Sequence, residues 1–507
     1  MLNVNAFLET RRVFVVILGL GLFAMGVRGV ADPDVWWHLR TGQLIVQNRG
    51  MIHSDPYSFT RFGQPWVNHE WLSDVLIYSL SRVAGWGGLV VVFGAIIAAS
   101  LLLVFRRSPG RPYVAAVVIV WGALASAPSW GVRPQMISLL LASIFLVILE
   151  RSDQHPTYLW WTPPLILLWV NLHAGYAMGI VLLALFLAGG VLDAAFGFEA
   201  WSQTAPRLRK LALALGICLA VVPLNPNGAR IYWYPLETLR SRAMQSYINE
   251  WFSPDFHEAK YLPLLLMLLT IMAALTLSPR RVRPRELVLL LVTMGAALRS
   301  VRHIPIFVLV AAPILSGLVQ AWLEERGAAQ WSGIRTTSTT SRRMVVNAVV
   351  LAAFATFTVA RVRFVVDRQA ETEAHEFPAA AVSFLSRERP PGPLLNHYNW
   401  GGYFIWKLYP EYRVYIDGRA DLYGDSFMDD FAATYYLTNH WRDPMDRWGI
   451  RTIVLPPDAQ LVTAVRSNAD WKQIYADSQA IILTKARMDG GRGPAQAEKP
   501  RISSNLR

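Results

Sequence analysis

One cysteine, Cys218, is all the sequence holds. A single thiol excludes an internal disulfide and any thiolate metal centre, and its place inside an apolar run makes it a small buried or lipid-facing hydrophobe. Charge is scarce as well. Only 16% of the 507 residues are Asp, Glu, Lys or Arg, against roughly 25% in soluble domains, so most of the surface faces something other than water. Acid is the scarcer sign, 35 residues against 48 basic ones. The basic residues form short clusters between apolar stretches, the distribution of a topology signal and not of a nucleic-acid groove, and no nucleic-acid partner is expected. Neither an internal repeat nor a phosphate-cradling Gly-rich loop is visible. No small-residue cleavage site follows the apolar run at 13–30, which therefore reads as a retained first span.

What is present is long apolar sequence. Eleven runs come near the ~20 residues that cross a bilayer core: 13–30, 87–105, 112–127, 134–149, 157–172, 174–193, 209–224, 261–277, 287–302, 304–322 and 344–360. Twenty tryptophans suit the headgroup level on either side. The clusters Arg11-Arg12, Arg106-Arg107 with Arg111, Arg207 to Lys210, Arg280 to Arg285 and Arg342-Arg343 all fall on one side when eleven spans alternate. The positive-inside rule makes that side cytoplasmic, with the N-terminus. The expected fold class is an α-helical polytopic membrane protein with a small extracytoplasmic α/β domain at its C-terminal end, in a plasma membrane.

The expected division is a transmembrane domain over 1–360, an extracytoplasmic domain over 361–489 and a disordered tail over 490–507. Within the first, a long outer loop (31–86) carries two stretches with helical apolar spacing, Trp37/Thr41/Leu44/Ile45 and Leu72/Val75/Leu76/Leu80/Val83. They are too polar to span and suit helices lying on the membrane surface. In the C-terminal part, Leu394–Leu395, Val414–Ile416, Ile453–Leu455 and Ile481–Leu483 read as short buried strands, with helices near 377–387, 425–437 and 458–467.

Polar residues that a span does not need gather at the outer ends: Asp32-Pro33-Asp34, Asn68-His69-Glu70, Arg133-Pro134-Gln135, Asn171-Leu172-His173, Asn225-Pro226-Asn227, Asn249-Glu250-Trp251, Arg299, Arg302 and His303. Charges beside a bilayer are costly and are usually functional, and these converge on one face. Asp32 and Asp34 could share a divalent cation, or one could act as general base; they could equally cap the helix that follows. His69-Glu70 offers a second acid/base or ligand pair, or a cap with a glutamate favoured by the helix dipole. Arg133, Arg299, Arg302 and His303 could clamp a phosphate or pyrophosphate, or pair with the nearby acids and snorkel. His173, within apolar sequence, suits a structural hydrogen bond.

With its long first outer loop, its acidic pair after span one and its extracytoplasmic domain, the chain resembles the GT-C class of membrane glycosyltransferases. Two strings are similar to the oligosaccharyltransferase catalytic subunit in particular. Asp32-Pro33-Asp34-Val35-Trp36-Trp37-His38-Leu39-Arg40 is similar to its Asp-Pro-aromatic segment, and Tyr398-Asn399-Trp400-Gly401 to its Trp-Trp-Asp-Tyr-Gly motif. Asn399 stands where that motif has Asp, and Gly402 is an extra glycine. Asp417-Gly418-Arg419-Ala420-Asp421 has no counterpart in it.

The resemblance implies transfer of a sugar or glycan from a polyprenyl-(pyro)phosphate donor to a glycan, lipid or protein acceptor at the outer face of the bilayer. It assigns Asp34 as catalytic carboxylate, with Asp32 and Glu70 beside it. Arg133, His173, Arg299, Arg302 and His303 would contact donor, and Asn399 and Trp400 acceptor. Asp32, Asp34 and His69 would hold a divalent Mg or Mn ion. A polysaccharide polymerase or ligase, a transporter or flippase, and a non-catalytic scaffold are the other readings. Transporters, however, place polar groups near the midplane.

Overall fold

A computed structural model describes residues 8–328 and 340–486; the tail expected from 490 lies outside the described residues. Each of the eleven apolar runs is helical, and polar residues or prolines separate them. They correspond to α1 (Thr10–Gly26), the second half of α3 (Trp71–Arg107), α4 (Pro112–Ser126), α5 (Pro134–Arg151), α6 (Thr162–Leu172) with a 3-10 turn before it, α7 (Tyr176–Ala195), α8 (Trp201–Val221), α11 (Leu262–Leu277), α12 (Pro284–Arg299), α13 (Ile304–Glu325) and α14 (Ser341–Asp367). Among the described residues, seven helices are long and apolar enough to cross a membrane.

Their burial sorts them. Helix α13 has 83% of its apolar window inside the protein and is the axis of the bundle, whereas α14, at 6%, is a peripheral helix whose Val345, Val349 and Phe357 face outward. An all-round apolar helix can occupy either place. Prolines open α4, α5, α11, α12 and α13 within the first turn, where a missing N–H costs nothing.

Two features of the loop over 31–86 differ from a pair of surface helices. The first helix, α2 (Val35–Asn48), is sandwiched between α3 and the C-terminal domain, with Trp36 wholly buried against the rings of Trp86, Phe377 and Tyr403. Its Gly42 is pressed on Asp74 and Tyr78, leaving no room for a side chain. The second helix runs straight into the next span as α3, broken only at Gly85, whose φ of 59° is open to glycine.

The C-terminal part begins on α14 itself, which continues to Asp367 past the composition change at Ala360. A four-stranded sheet follows, in the order β1 (Leu394–Asn396), β2 (Thr452–Leu455), β4 (Ile481–Lys485), β3 (Trp471–Ala476). Strands β1 and β2 are parallel, and the other pairs antiparallel. Continuous apolar runs make β1 and β2 fully buried. Strand β3 was not expected because it is a half-exposed edge with polar residues along it. Val414–Ile416 is not a strand of this sheet. It bridges instead to the first loop, where Val414 exchanges backbone hydrogen bonds with Tyr57 and Phe59.

Two membrane-domain loops thus hold the C-terminal domain. The second consists of α9 (Tyr234–Arg240) and α10 (Arg242–Tyr247). The Asp425 carboxylate accepts from Ser241 Oγ at 2.6 Å and from the backbone N–H of Arg242, while Met244 enters the domain core beside Phe427 and Phe431.

Candidate active site

The chain leaves α1 and turns at Asp32-Pro33-Asp34 into α2. The Asp34 N–H donates to Asp32 Oδ1 at 2.9 Å, and Trp37 Nε1 donates to Asp34 Oδ1 at 3.1 Å. Asp34 makes no side-chain cap to α2, so capping does not account for its carboxylate. The other Asp32 oxygen faces Arg133 Nε at 3.1 Å, and the Arg133 guanidinium is paired in bidentate fashion with Glu250. Burial, and then the neighbouring Asp32, push the Asp34 carboxyl up to about 7.

Behind this pair lies a polar network that the sequence disclosed only in part. Three imidazoles surround the buried Glu70 carboxylate: His173 Nε2 at 3.1 Å, His38 Nε2 at 3.4 Å and His69 Nε2 at 3.4 Å. His38 Nδ1 lies 2.6 Å from Asp74 Oδ1, and Asn68 donates to the other Asp74 oxygen at 2.9 Å. Burial would raise Glu70, but His69, His38 and His173 pull it well below the usual carboxylate range. Burial opposes a charge on His38, yet its hydrogen bond to Asp74 and the Glu70 carboxylate hold its pKa at about 9. His173 differs: Gly175 N–H donates to its Nδ1 at 2.8 Å, which makes Nε2 the donor to Glu70. Burial lowers its pKa to about 3, so the ring is neutral.

Most of these groups border one cavity of about 290 Å³, whereas His173 lines the groove beside it and Asn68 and Asp74 line neither. Asp32, Asp34, His38, His69, Glu70, Arg133 and Arg302 line it from the membrane domain, and Tyr398, Asn399, Gly418 and Asp421 from the C-terminal domain. An adjoining groove is mostly apolar, lined by Met136, Leu139, Met178, Val181, Pro305 and Ile306 among others. Arg133, Glu250, Trp251, Arg302, His69 and Tyr234 border both. Arg302 is the cation at this junction with no carboxylate partner among the described residues. It lies over the Trp251 ring at 5.1 Å.

The remaining expected residues are placed as follows. His303 lines the groove beside Trp251. Arg299 is exposed, donates to Gln245 at 3.1 Å and lines neither space. Trp400 packs on His397 and Phe404 behind the cavity wall, while its neighbour Asn399 lines it. Gly401 and Gly402 have a steric reason. A side chain on the first would strike Asp417, and on the second the Pro33 carbonyl.

Asp32, Asp34 and His69 do not fit a preformed cage for Mg or Mn. Asp32 is turned to Arg133, His69 is stacked on Tyr234 at 4.0 Å, and among the described residues no group of three His, Cys, Asp or Glu side chains converges on a cation position. The groups missed in sequence are His38, Asp74, Tyr398 and Asp421. The i, i+4 spacing of Asp34 with His38, and of Glu70 with Asp74, was the available signal for the first two.

No family model matches the sequence, and no curated protein does. The fold is nevertheless shared with solved structures. The archaeal oligosaccharyltransferase AglB from Archaeoglobus fulgidus, in complex with an inhibitory peptide and a dolichol-phosphate, aligns over 87% of this chain and 68% of its own, at TM-score 0.52 and 12% identity. The Archaeoglobus fulgidus oligosaccharyltransferase in the apo form aligns over 94% and 74%, at 0.53 and 11%. ArnT from Cupriavidus metallidurans bound to undecaprenyl phosphate covers 94% and 98%, at 0.46 and 14%. Identity this low speaks for the fold alone. The chain is a multi-pass membrane protein of GT-C-like fold, as its sequence implied.

Proposed function

We propose that this protein is a membrane glycosyltransferase that moves a sugar or glycan from a polyprenyl-(pyro)phosphate donor to an acceptor hydroxyl or amine. The observation that carries the reading is the meeting of Asp34, Glu70 and the carboxylate-free Arg302 on one cavity, at its junction with an apolar groove. A dolichol-phosphate bound by the structurally similar AglB supports a lipid-linked donor. The basic-cluster parity supports placing the cavity and C-terminal domain outside the cytoplasm.

The groups divide the work by position. The prenyl tail lies in the apolar groove, and Arg302 meets the phosphate at its mouth. Asp34, with a pKa near the working pH, removes the acceptor proton as the acceptor atom attacks the anomeric carbon. The bond from that carbon to the phosphate oxygen breaks, and its electron pair remains on the phosphate, where Arg302 stabilises the charge. Arg133, already neutralised by Asp32 and Glu250, orients Asp32 and adds field without being free to bind.

A transporter reading has less support, because the polar groups lie at one end of the bundle and not at its middle. The test is incubation of purified protein in detergent with undecaprenyl-phosphate- and undecaprenyl-pyrophosphate-linked sugars, following release of the free lipid phosphate. Release by wild type, with a loss of about 10²–10³ in Arg302→Gln, is expected. Wild type with no release above a protein-free control, for both donor types and across acceptors, would sink the reading.

A further inference from the structure

The string Asp417-Gly418-Arg419-Ala420-Asp421 is built with more care than a connecting loop requires. Arg419 is almost wholly buried, and donates through Nε and Nη2 to both Asp417 oxygens at 2.8 and 2.7 Å. Nη2 also faces Asp55 Oδ1, from the first loop of the membrane domain, at 2.9 Å. The guanidinium carbon lies 5.0 Å from the Tyr57 ring centre and 4.6 Å from that of Trp66. Tyr423 donates to Asp417 Oδ2 at 2.7 Å, and Asp55 accepts from the backbone of Tyr57 and Ser58. A planar fork held by two carboxylates fixes direction as well as distance.

The consequence is felt on either side of Arg419. Gly418 is pressed on the Asp34 carboxylate so closely that any side chain there would overlap it. Two residues after Arg419, on the first turn of a helix spanning Ala420–Tyr435 (α18), Asp421 is delivered to the cavity wall. Its carboxylate makes no salt bridge and no side-chain hydrogen bond among the described residues; its own backbone N–H and the more distant charges of His69 and Arg419 act on it. In this it differs from Asp32, Asp34, Glu70 and Glu250, which all have partners. Asp421, Tyr398, Asn399 and Asp34 line the polar cavity and are absent from the apolar groove. They therefore occupy the end beyond Arg302, opposite the lipid. Trp37 and Trp66 line the same cavity.

A carboxylate without a salt bridge, an amide, and a phenol held by a long hydrogen bond to the Gly418 carbonyl at 3.3 Å, all beside indole rings, form a surface for a sugar. The polar groups accept and donate to ring hydroxyls, and the indoles cover its C–H face. We infer that Asp421 is a sugar-binding residue, holding hydroxyls of the glycosyl unit being transferred, and that Arg419 with Asp417 and Asp55 is its positioning device. The inference rests on the glycosyltransferase reading above. It narrows the substrate to glycosyl units without a carboxylate. A uronic acid would meet Asp421, Asp34 and Asp32, while the nearby Arg133 and Arg419 are paired already and His69 is drawn to Glu70.

The experiment measures binding of three probes to detergent-purified full-length protein: undecaprenyl phosphate, undecaprenyl-phosphate-glucose and undecaprenyl-phosphate-glucuronate. Wild type should hold the glucosyl lipid about tenfold more tightly than the bare lipid phosphate, as one hydrogen bond to a charged group allows. Asp421→Asn should lose that increment, leave the affinity for undecaprenyl phosphate unchanged and tighten binding of the glucuronate. Tyr423→Phe, which loosens Asp417, should reduce the glucosyl increment in part. A merely structural role would weaken all three probes together. Equal losses, or an Asp421→Asn protein that keeps the glucosyl preference, would overturn the assignment while leaving the donor reading intact. Wild type that binds none of the lipids overturns both.

Discussion

Both ends of the helical bundle carry charges, and they use them differently. At the end away from the cavity, arginines and carboxylates are stitched together. Arg285 pairs with Asp153 at 2.6 Å, Arg107 with Glu150 at 2.6 Å, Arg283 with Glu199 at 2.9 Å, and Arg207 with Glu199 at 3.2 Å. These contacts tie α3, α5, α7, α8 and α12 to one another where the helices emerge. At the cavity end the pairing is incomplete: among the described residues neither Arg302 nor Asp421 makes a salt bridge, while Asp32, Glu70, Arg133 and Glu250 around them all do. Uncompensated charge near low dielectric is unfavourable unless a ligand completes it. The difference separates stitching from a site, although residue types at the two ends are alike.

The sharpest way to break that comparison is Asp34→Asn. Removing this charge while keeping its size should lower sugar transfer by ~10²–10⁴, with thermal stability unchanged. Turnover of a lipid-linked donor by wild type and variant is the measurement, beside their melting temperatures. A variant as active as wild type would return Asp32 and Asp34 to a purely structural part.

The opposite result is expected at the other end. Arg285→Gln takes from Asp153 its bidentate partner, leaving Arg207 as its cation, and takes the guanidinium from the buried Asp193, which keeps only the backbone N–H of residue 285, a change that typically costs about 3–5 kcal/mol. Melting in detergent should show that loss, while turnover per folded molecule stays within about twofold of wild type. A stable but inactive Arg285→Gln protein would mean that the stitched end takes part in catalysis, and the contrast would collapse.

Much of this was legible in the sequence, for reasons that differ by region. Apolar length is a local property, so all eleven runs could be placed, and Asp34, Glu70 and Arg302 stood out as charges at their ends. Geometry beyond one helix was not legible. The i, i+4 pair of Glu70 and Asp74 looks like ordinary helix capping until His38, from another helix, is found between them. Asp421 lies far along the chain from Asp34, and nothing local marks it. Arg299 has the same type and neighbourhood as Arg302, yet the helix ends at Arg299 and the extended Ser300 lets Arg302 turn into the cavity, while Arg299 stays exposed beside Gln245. The edge strand β3 is hidden by its polar residues, and Val414–Ile416 reads as a sheet strand because its partner, the Tyr57–Phe59 segment, belongs to another domain.

The smallest effect expected is also the most specific to Asp34. Below its pKa of about 7 the carboxyl is protonated and cannot accept a proton from the acceptor. The rate constant kcat/KM should therefore fall about tenfold per pH unit on the acid side. Three other groups of the polar network are silent there. Glu70 is held charged well below the usual range, His173 is neutral with a pKa near 3, and His38 remains charged up to about 9. His69 is the competitor, because its pKa is raised from an ordinary value already in this window, burial being outweighed by Glu70. Asp32→Asn separates the two. Burial of Asp34 would be unchanged, but loss of the like charge beside it favours its ionised form and lowers its pKa. Arg133, relieved of one carboxylate, acts in the same direction. If Asp34 is the base, the acid limb of the kcat/KM profile moves to lower pH in Asp32→Asn. A limb that stays in place assigns the titration to His69, whose pKa is set by Glu70 and Asp421 and not by Asp32, and removes Asp34 from the proton-transfer step.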